Sequence, residues 1–147
     1  MRLMTMSNPA TIDITTSETL SIRQESDVIQ LTNHIRHQAV RLGMSALNQT
    51  KLSTAASELA RNTLMHGGGG TVQLEQISQG SQAGMRLHFV DDGPGIADID
   101  LAMQSGYTTA GGMGLGLPGA KRLSDEFQLT SSPGHGTRVM IVKWTND

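Results

Sequence analysis

The apolar residues of this chain change period abruptly at Gly67–Gly70, and that switch constrains the fold more than any other feature. Upstream, Val28, Leu31, Ile35, Ala39 and Leu42 recur at the spacing of one helical face, and Gly43 stops the run. Leu52, Ala55, Ala56, Leu59, Ala60 and Leu64 form a second such stripe over about Gln49 to Met65. Downstream, Thr71–Ser78 and Met85–Val90 alternate as strands do, joined by the turn Gln79-Gly80-Ser81-Gln82. Neither two amphipathic helices nor a strand hairpin buries its apolar face alone. Laying the helices on one face of a sheet satisfies both. The expected class is therefore α+β, a two-layer α/β sandwich with a mixed, mostly antiparallel sheet.

The flanks extend this plan. Residues 1–10 read as a flexible tail, and Ile12 to Arg23, rich in Thr and Ile, as an edge strand or strand pair. A short helix is expected near Ile99–Gln104, and another over Leu117–Ser124, with Pro118 tolerated in its first turn. Phe127–Thr130 and Thr137–Trp144 read as a closing strand pair around Ser132-Pro-Gly-His-Gly136. At 147 residues, with no internal repeat, one domain over 11–147 accounts for the chain.

Composition removes several function classes. The 11 basic and 13 acidic residues form no run of either sign, so the basic stripe of a nucleic-acid binder is missing. No apolar stretch approaches the roughly 20 residues of a spanning helix, and Met1–Ala10 lacks a signal-peptide core. The absence of cysteine excludes disulfides, thiolate metal sites and cysteine nucleophiles, and suits a cytoplasmic location. The 17 glycines cluster at 67–70, 93–95, 111–119 and 134–136, which points to close backbone approach to a ligand.

Three of those clusters, with one helix, outline a site. Glu58 and Asn62 lie four residues apart on the second helix, so their side chains share a face at roughly 6 Å. Outside the apolar stripe, both are free to point into a cleft. A carboxylate there can take a proton, and a carboxamide oxygen is a hard ligand suited to Mg²⁺. The pair alone also matches an ordinary solvated helix face. Asp91-Asp-Gly-Pro-Gly95 leaves the sheet on a glycine turn, where the acid can accept a hydrogen bond from the exocyclic amine of adenine; a plain Asp-Gly turn is the alternative. Gly112, Gly114 and Gly116 precede a helix start, where free amides attract anions. Gly114 to Gly119 matches G-x-G-x-x-G, but a loop sequence precedes it where a dinucleotide fold needs a strand. Ser105–Gly111 reads as a lid between the base and phosphate ends, and Thr137 as a hydroxyl near the base or a simple hairpin residue. Lys121, Arg122 and Arg61 read as surface cations, His34 and His37 lack a third ligand, and His66 and His135 merely flank glycine turns.

The ordered set Glu58…Asn62, Asp91-x-Gly93-x-Gly95, Gly112-x-Gly114-x-Gly116 and Gly134-x-Gly136-Thr137 resembles the N, G1, G2 and G3 boxes of the GHKL ATPase/kinase superfamily. Ser57–Asn62, Gln104–Thr109 and Gly114–Phe127 are similar to the anti-sigma-factor serine/threonine kinase branch, in particular to its RsbT-type stressosome switch kinases. The resemblance implies a Bergerat fold that uses ATP with Mg²⁺. It also implies phosphoryl transfer to a serine or threonine of a STAS-domain antagonist protein. Carried over by position, Glu58 is the general base, Asn62 the Mg²⁺ ligand and Asp91 the adenine reader. Gly93, Gly95, Gly112, Gly114, Leu115, Gly116 and Thr137 complete the nucleotide site. The downstream effector would be a phosphatase, a cyclase or a sigma factor, and both monomer and homodimer are compatible. The alternative is a nucleotide-gated anti-sigma factor or docking activator that acts by sequestering or activating its partner.

Overall fold

Two capped helices begin the helical layer. Asp27 Oδ2 accepts hydrogen bonds from the backbone amides of Arg23 and Gln24 at 2.8 and 3.1 Å, fixing the start of α1 (Glu25–Arg41). Ser45 Oγ accepts from the Asn48 amide at 3.2 Å and starts α2 (Ala46–Met65) one turn earlier than the apolar stripe indicates. A computed structural model describes residues 11–104 and 116–146. The first ten residues, the expected lid and most of the third glycine cluster lie outside the described residues.

Five strands form one sheet in the order β1-β2-β3-β5-β4, antiparallel at every described pairing. β1 (Asp13–Ile22) is a single edge strand with a bulge between Ile14 and Thr16. β2 (Gly70–Gln79) and β3 (Gln82–Asp91) pair from Gly70↔Asp91 to Gln79↔Gln82, so the ladder runs into the turn itself. A connection carrying α3 (Ile99–Ala102) and α4 (Gly116–Leu123) leads to β4 (Glu126–Ser131) at the far edge. β5 (Thr137–Trp144) then returns between β4 and β3. The expected two-layer α+β sandwich is the observed fold.

One core holds the layers together. Val28, Leu31, Ile35 and Ala39 of α1 and Leu52, Ala55, Ala56, Leu59 and Ala60 of α2 are buried against Val72, Leu74, Met85, Leu87, Phe89, Val139 and Ile141 of the sheet. The alanines matter because small side chains bring α2 close to the sheet along its length. Among the described residues, the opposite sheet face carries a small cluster of Ile77, Val142 and Trp144, with Ile12 and Met140 packed against it. At full burial each large apolar side chain of the core contributes about 1.5–3 kcal/mol. Among the described residues no helix is long and apolar enough to cross a membrane.

Candidate nucleotide site

Asp91, Gly70 and Thr137 stand in one row across the ends of three strands, since Asp91 pairs with Gly70 on β2 and with Thr137 on β5. By strand alternation Asp91 faces the same side as Phe89 and Leu87, so its carboxyl group emerges at the end of the core. Asp91 is only 8% exposed. Its Oδ1 accepts a hydrogen bond from the Gly93 amide at 2.9 Å, and the Thr137 amide donates to it as well. Burial pushes its carboxyl above the ordinary Asp range. The two amides and His66 oppose that shift, and the neighbouring charge of Asp92 adds to it.

The loops after β3 and before β5 interlock around this acid. Gly95, at φ +78°, lies where a Cβ would come within 2.1 Å of the Ser132 carbonyl oxygen. The Gly134 amide donates to the Pro94 carbonyl at 2.8 Å, and the Ile96 amide donates to Ser131 Oγ at 2.8 Å. Ser131 Oγ donates in turn to the Gly136 carbonyl at 2.8 Å and lies 3.0 Å from Thr137 Oγ1. The second and fourth motif segments are therefore one structural unit.

Beside that unit is a cavity of about 380 Å³, within the size range of small-molecule sites. Leu59, Phe89, Ile96, Leu101, Leu117 and Val139 give it apolar walls, while Asn62, Asp91, His66 and Thr137 supply polar groups. An apolar cavity whose lining includes the acids Asp91 and Asp98 suits a purine whose amine must be satisfied on burial. Gly95 and Gly116 also line it.

Glu58 is placed differently from Asn62. The sequence expected both to reach a cleft, yet Glu58 is 3% exposed, and its Oε2 accepts from the Gly116 amide at 3.3 Å. The first residue of α4 thus sits on the carboxylate, and Asn62, one turn further along α2, is the member of the pair that lines the cavity. Arg61 is directed elsewhere: its guanidinium donates to Ser57 Oγ at 3.2 Å and to Glu25 Oε1 at 3.1 Å. His34 pairs with Glu18 across to β1. Lys121 and Arg122 are exposed on α4.

The structure thus brings together Asn62, Asp91, Gly93, Gly95, Gly116 and Thr137, with Glu58 just behind the Gly116 amide. Gly112, Gly114 and Leu115 lie outside the described residues. Sequence reasoning missed His66, Ser131 and the apolar lining. Phe89 was recoverable, being two residues before Asp91 on the same strand; Ile96, Leu101 and Leu117 reach the cavity from segments that carry no periodic signal.

The family model of the histidine kinase-, DNA gyrase B- and HSP90-like ATPases matches residues 47–146, and the chain belongs to that family. It is 42% identical to the serine/threonine-protein kinase RsbT of Bacillus subtilis (strain 168), over 84% of this chain and 92% of that protein. It is 31% identical to an anti-sigma F factor of Thermoanaerobacter sp. (strain X514), over 63% of this chain and 68% of the relative. The crystal structure of the RsbU and RsbW domains of Rv1364c from Mycobacterium tuberculosis shares the fold at a TM-score of 0.61 and 15% identity. That match covers 88% of this chain and 32% of the other.

Proposed function

We propose that this protein is an ATP-dependent serine/threonine protein kinase of a partner-switching module, whose substrate is a STAS-domain antagonist protein. The observation that carries the reading is Asp91: a buried carboxylate held by backbone amides in the lining of a mostly apolar cavity that Asn62 also lines, with Glu58 one helical turn from Asn62. The similarity to RsbT and to anti-sigma F factors supplies the reaction class.

Asp91 accepts the hydrogen bond of the adenine amine; a guanine carbonyl there would face it acceptor to acceptor. By their place in the family motif, Gly112, Gly114 and Gly116 would cradle the phosphates. Asn62 would hold Mg²⁺, which offsets phosphate charge when bound. Glu58 takes the proton of the attacking serine or threonine hydroxyl as its oxygen bonds to the γ-phosphorus and the bond to ADP breaks. For that, a carboxylate oxygen must reach the substrate hydroxyl, and Oε2 is the one that accepts from the Gly116 amide at the start of α4. Base chemistry at Glu58 is thereby coupled to the start of α4.

The same hydrogen bond favours a second reading, in which nucleotide chiefly sets the position of α4 and so the choice of partner. Incubating the protein with γ-labelled Mg-ATP and the STAS-domain proteins encoded beside its gene separates the two. Label on one of them, lost in Glu58→Ala with ATP binding intact, supports the kinase. Absence of label on every candidate, with ATP bound, overturns it in favour of the docking module.

A further inference from the structure

The four glycines at residues 67–70 end α2, but each is glycine for its own reason. Gly68 and Gly69 have positive φ, +73° and +103°, a conformation that side chains disfavour. A Cβ on Gly70 would lie 2.1 Å from the Val90 carbonyl oxygen. Gly67 has no such φ. What a side chain there would meet is Asp91: a Cβ would lie 2.3 Å from Cγ, 2.5 Å from Cβ and 2.6 Å from Oδ2 of that residue.

The geometry points to Gly67 as a positioning residue for base recognition, its missing side chain giving the Asp91 carboxylate its seat against the end of α2. This deepens the reading of Asp91 as the adenine acceptor and rests on it. Turning the Asp91 side chain does not relieve the contact, because the Cβ position is set by the backbone of β3. With a methyl at residue 67, either the end of β3 or the turn after α2 must shift. The first strand-end row, Gly70–Asp91–Thr137, shifts with it, and the carboxylate leaves the line on which the amides of Gly93 and Thr137 hold it. Gly93 tightens the arrangement, since a Cβ there would come within 2.7 Å of Gly67 Cα and 3.1 Å of Asp91 Oδ1. The end of α2, the end of β3 and the following turn therefore meet at one point with room for a single side chain, that of Asp91.

The test is a double-mutant cycle of Gly67→Ala with Asp91→Gly, which removes all three clashing atoms, and Gly68→Ala as the control in the same turn. Affinities for ATP and inosine triphosphate, which lacks the exocyclic amine, are measured alongside the melting temperature. Gly67→Ala is expected to weaken ATP binding about tenfold or more and to bring the two affinities within about twofold. In the Asp91→Gly background the same change should alter ATP affinity less than about twofold and cost little melting temperature. Gly68→Ala, strained but clear of Asp91, should lower the melting temperature and keep the preference for ATP. Retained preference in Gly67→Ala, or an equal loss in both backgrounds, overturns the inference. If Gly67→Ala alone fails to fold, a soluble double variant supports it and an insoluble one overturns it. Equal affinities of the wild type for the two nucleotides would instead sink the adenine reading of Asp91 itself.

Discussion

Two buried carboxylates on the same sheet have opposite fates. Glu75 lies on the face away from the helices, 4% exposed, and accepts from Arg86 Nε at 2.6 Å and His88 Nε2 at 2.7 Å. Burial alone would raise its pKa, but the hydrogen bonds and charges of Arg86 and His88 outweigh burial and hold it below the ordinary Glu range. Asp91, at the end of the neighbouring strand, has backbone amides and His66 on one side and the charge of Asp92 on the other, and burial wins. Glu75 is satisfied within the fold, and cross-strand pairing explains it fully. Asp91 is held in place with its charged form disfavoured, a setting common at functional acids. Burial alone does not distinguish the two acids; the nature of their partners does.

The sharpest way to break this contrast is to neutralise each acid with little change of shape. Asp91→Asn is expected to weaken ATP binding about 10–100-fold, read by calorimetry. Oδ1 is held by the Gly93 amide, so the new Nδ2 then faces the adenine amine, donor to donor. Its melting temperature without ligand should not fall, since burial disfavours the charged form of Asp91 in the wild type. Glu75→Gln should do the reverse, costing about 2–3 kcal/mol in urea unfolding by leaving Arg86 and His88 without their charge partner, with ATP affinity within about twofold of wild type.

The pH dependence sharpens the same point. The folded pKa of Glu75 is lowered from its ordinary 4.5, so its stabilisation is complete above that value and is lost as pH falls through the lower folded value. Asp91 has the opposite sign: its folded pKa is raised from 3.8, so the native state loses stability as pH rises from there through the folded value. Acid unfolding curves of Glu75→Gln should therefore be flatter below about pH 4.5, and those of Asp91→Asn steeper between the raised folded value and about pH 3.8. The smallest effect is expected at an exposed acid: breaking the Glu18–His34 pair, whose side chains are 42% and 41% exposed, should cost less than about 1 kcal/mol and leave nucleotide binding unchanged.

The same division between local and long-range causes decides how much of the molecule was legible in its sequence. The α2 stripe and the strand alternation around Gly80 gave both helices and the hairpin, because each depends on neighbours in sequence. Boundaries slipped where a cap or a tight turn extended an element: Ser45 carried α2 back to Ala46, and the turn let β3 begin at Gln82 rather than Met85. Asp91, Gly95 and Thr137 were legible because turn glycines mark strand ends. The burial of Glu58 was not, since its cover is the Gly116 amide, 58 residues away, and no helical pattern encodes that contact. Nor was the role of Gly67, which read as one of four helix-ending glycines and depends on a side chain of another strand.

The most direct measurement is the ratio of dissociation constants for inosine triphosphate and ATP, determined by calorimetry for wild type, Asp91→Asn and Glu75→Gln. Base reading by Asp91 predicts a ratio of about ten or more in wild type and Glu75→Gln, falling to about one in Asp91→Asn. A ratio unchanged by Asp91→Asn, or abolished by Glu75→Gln, would contradict the assignment of the nucleotide site to the Asp91 end of the sheet.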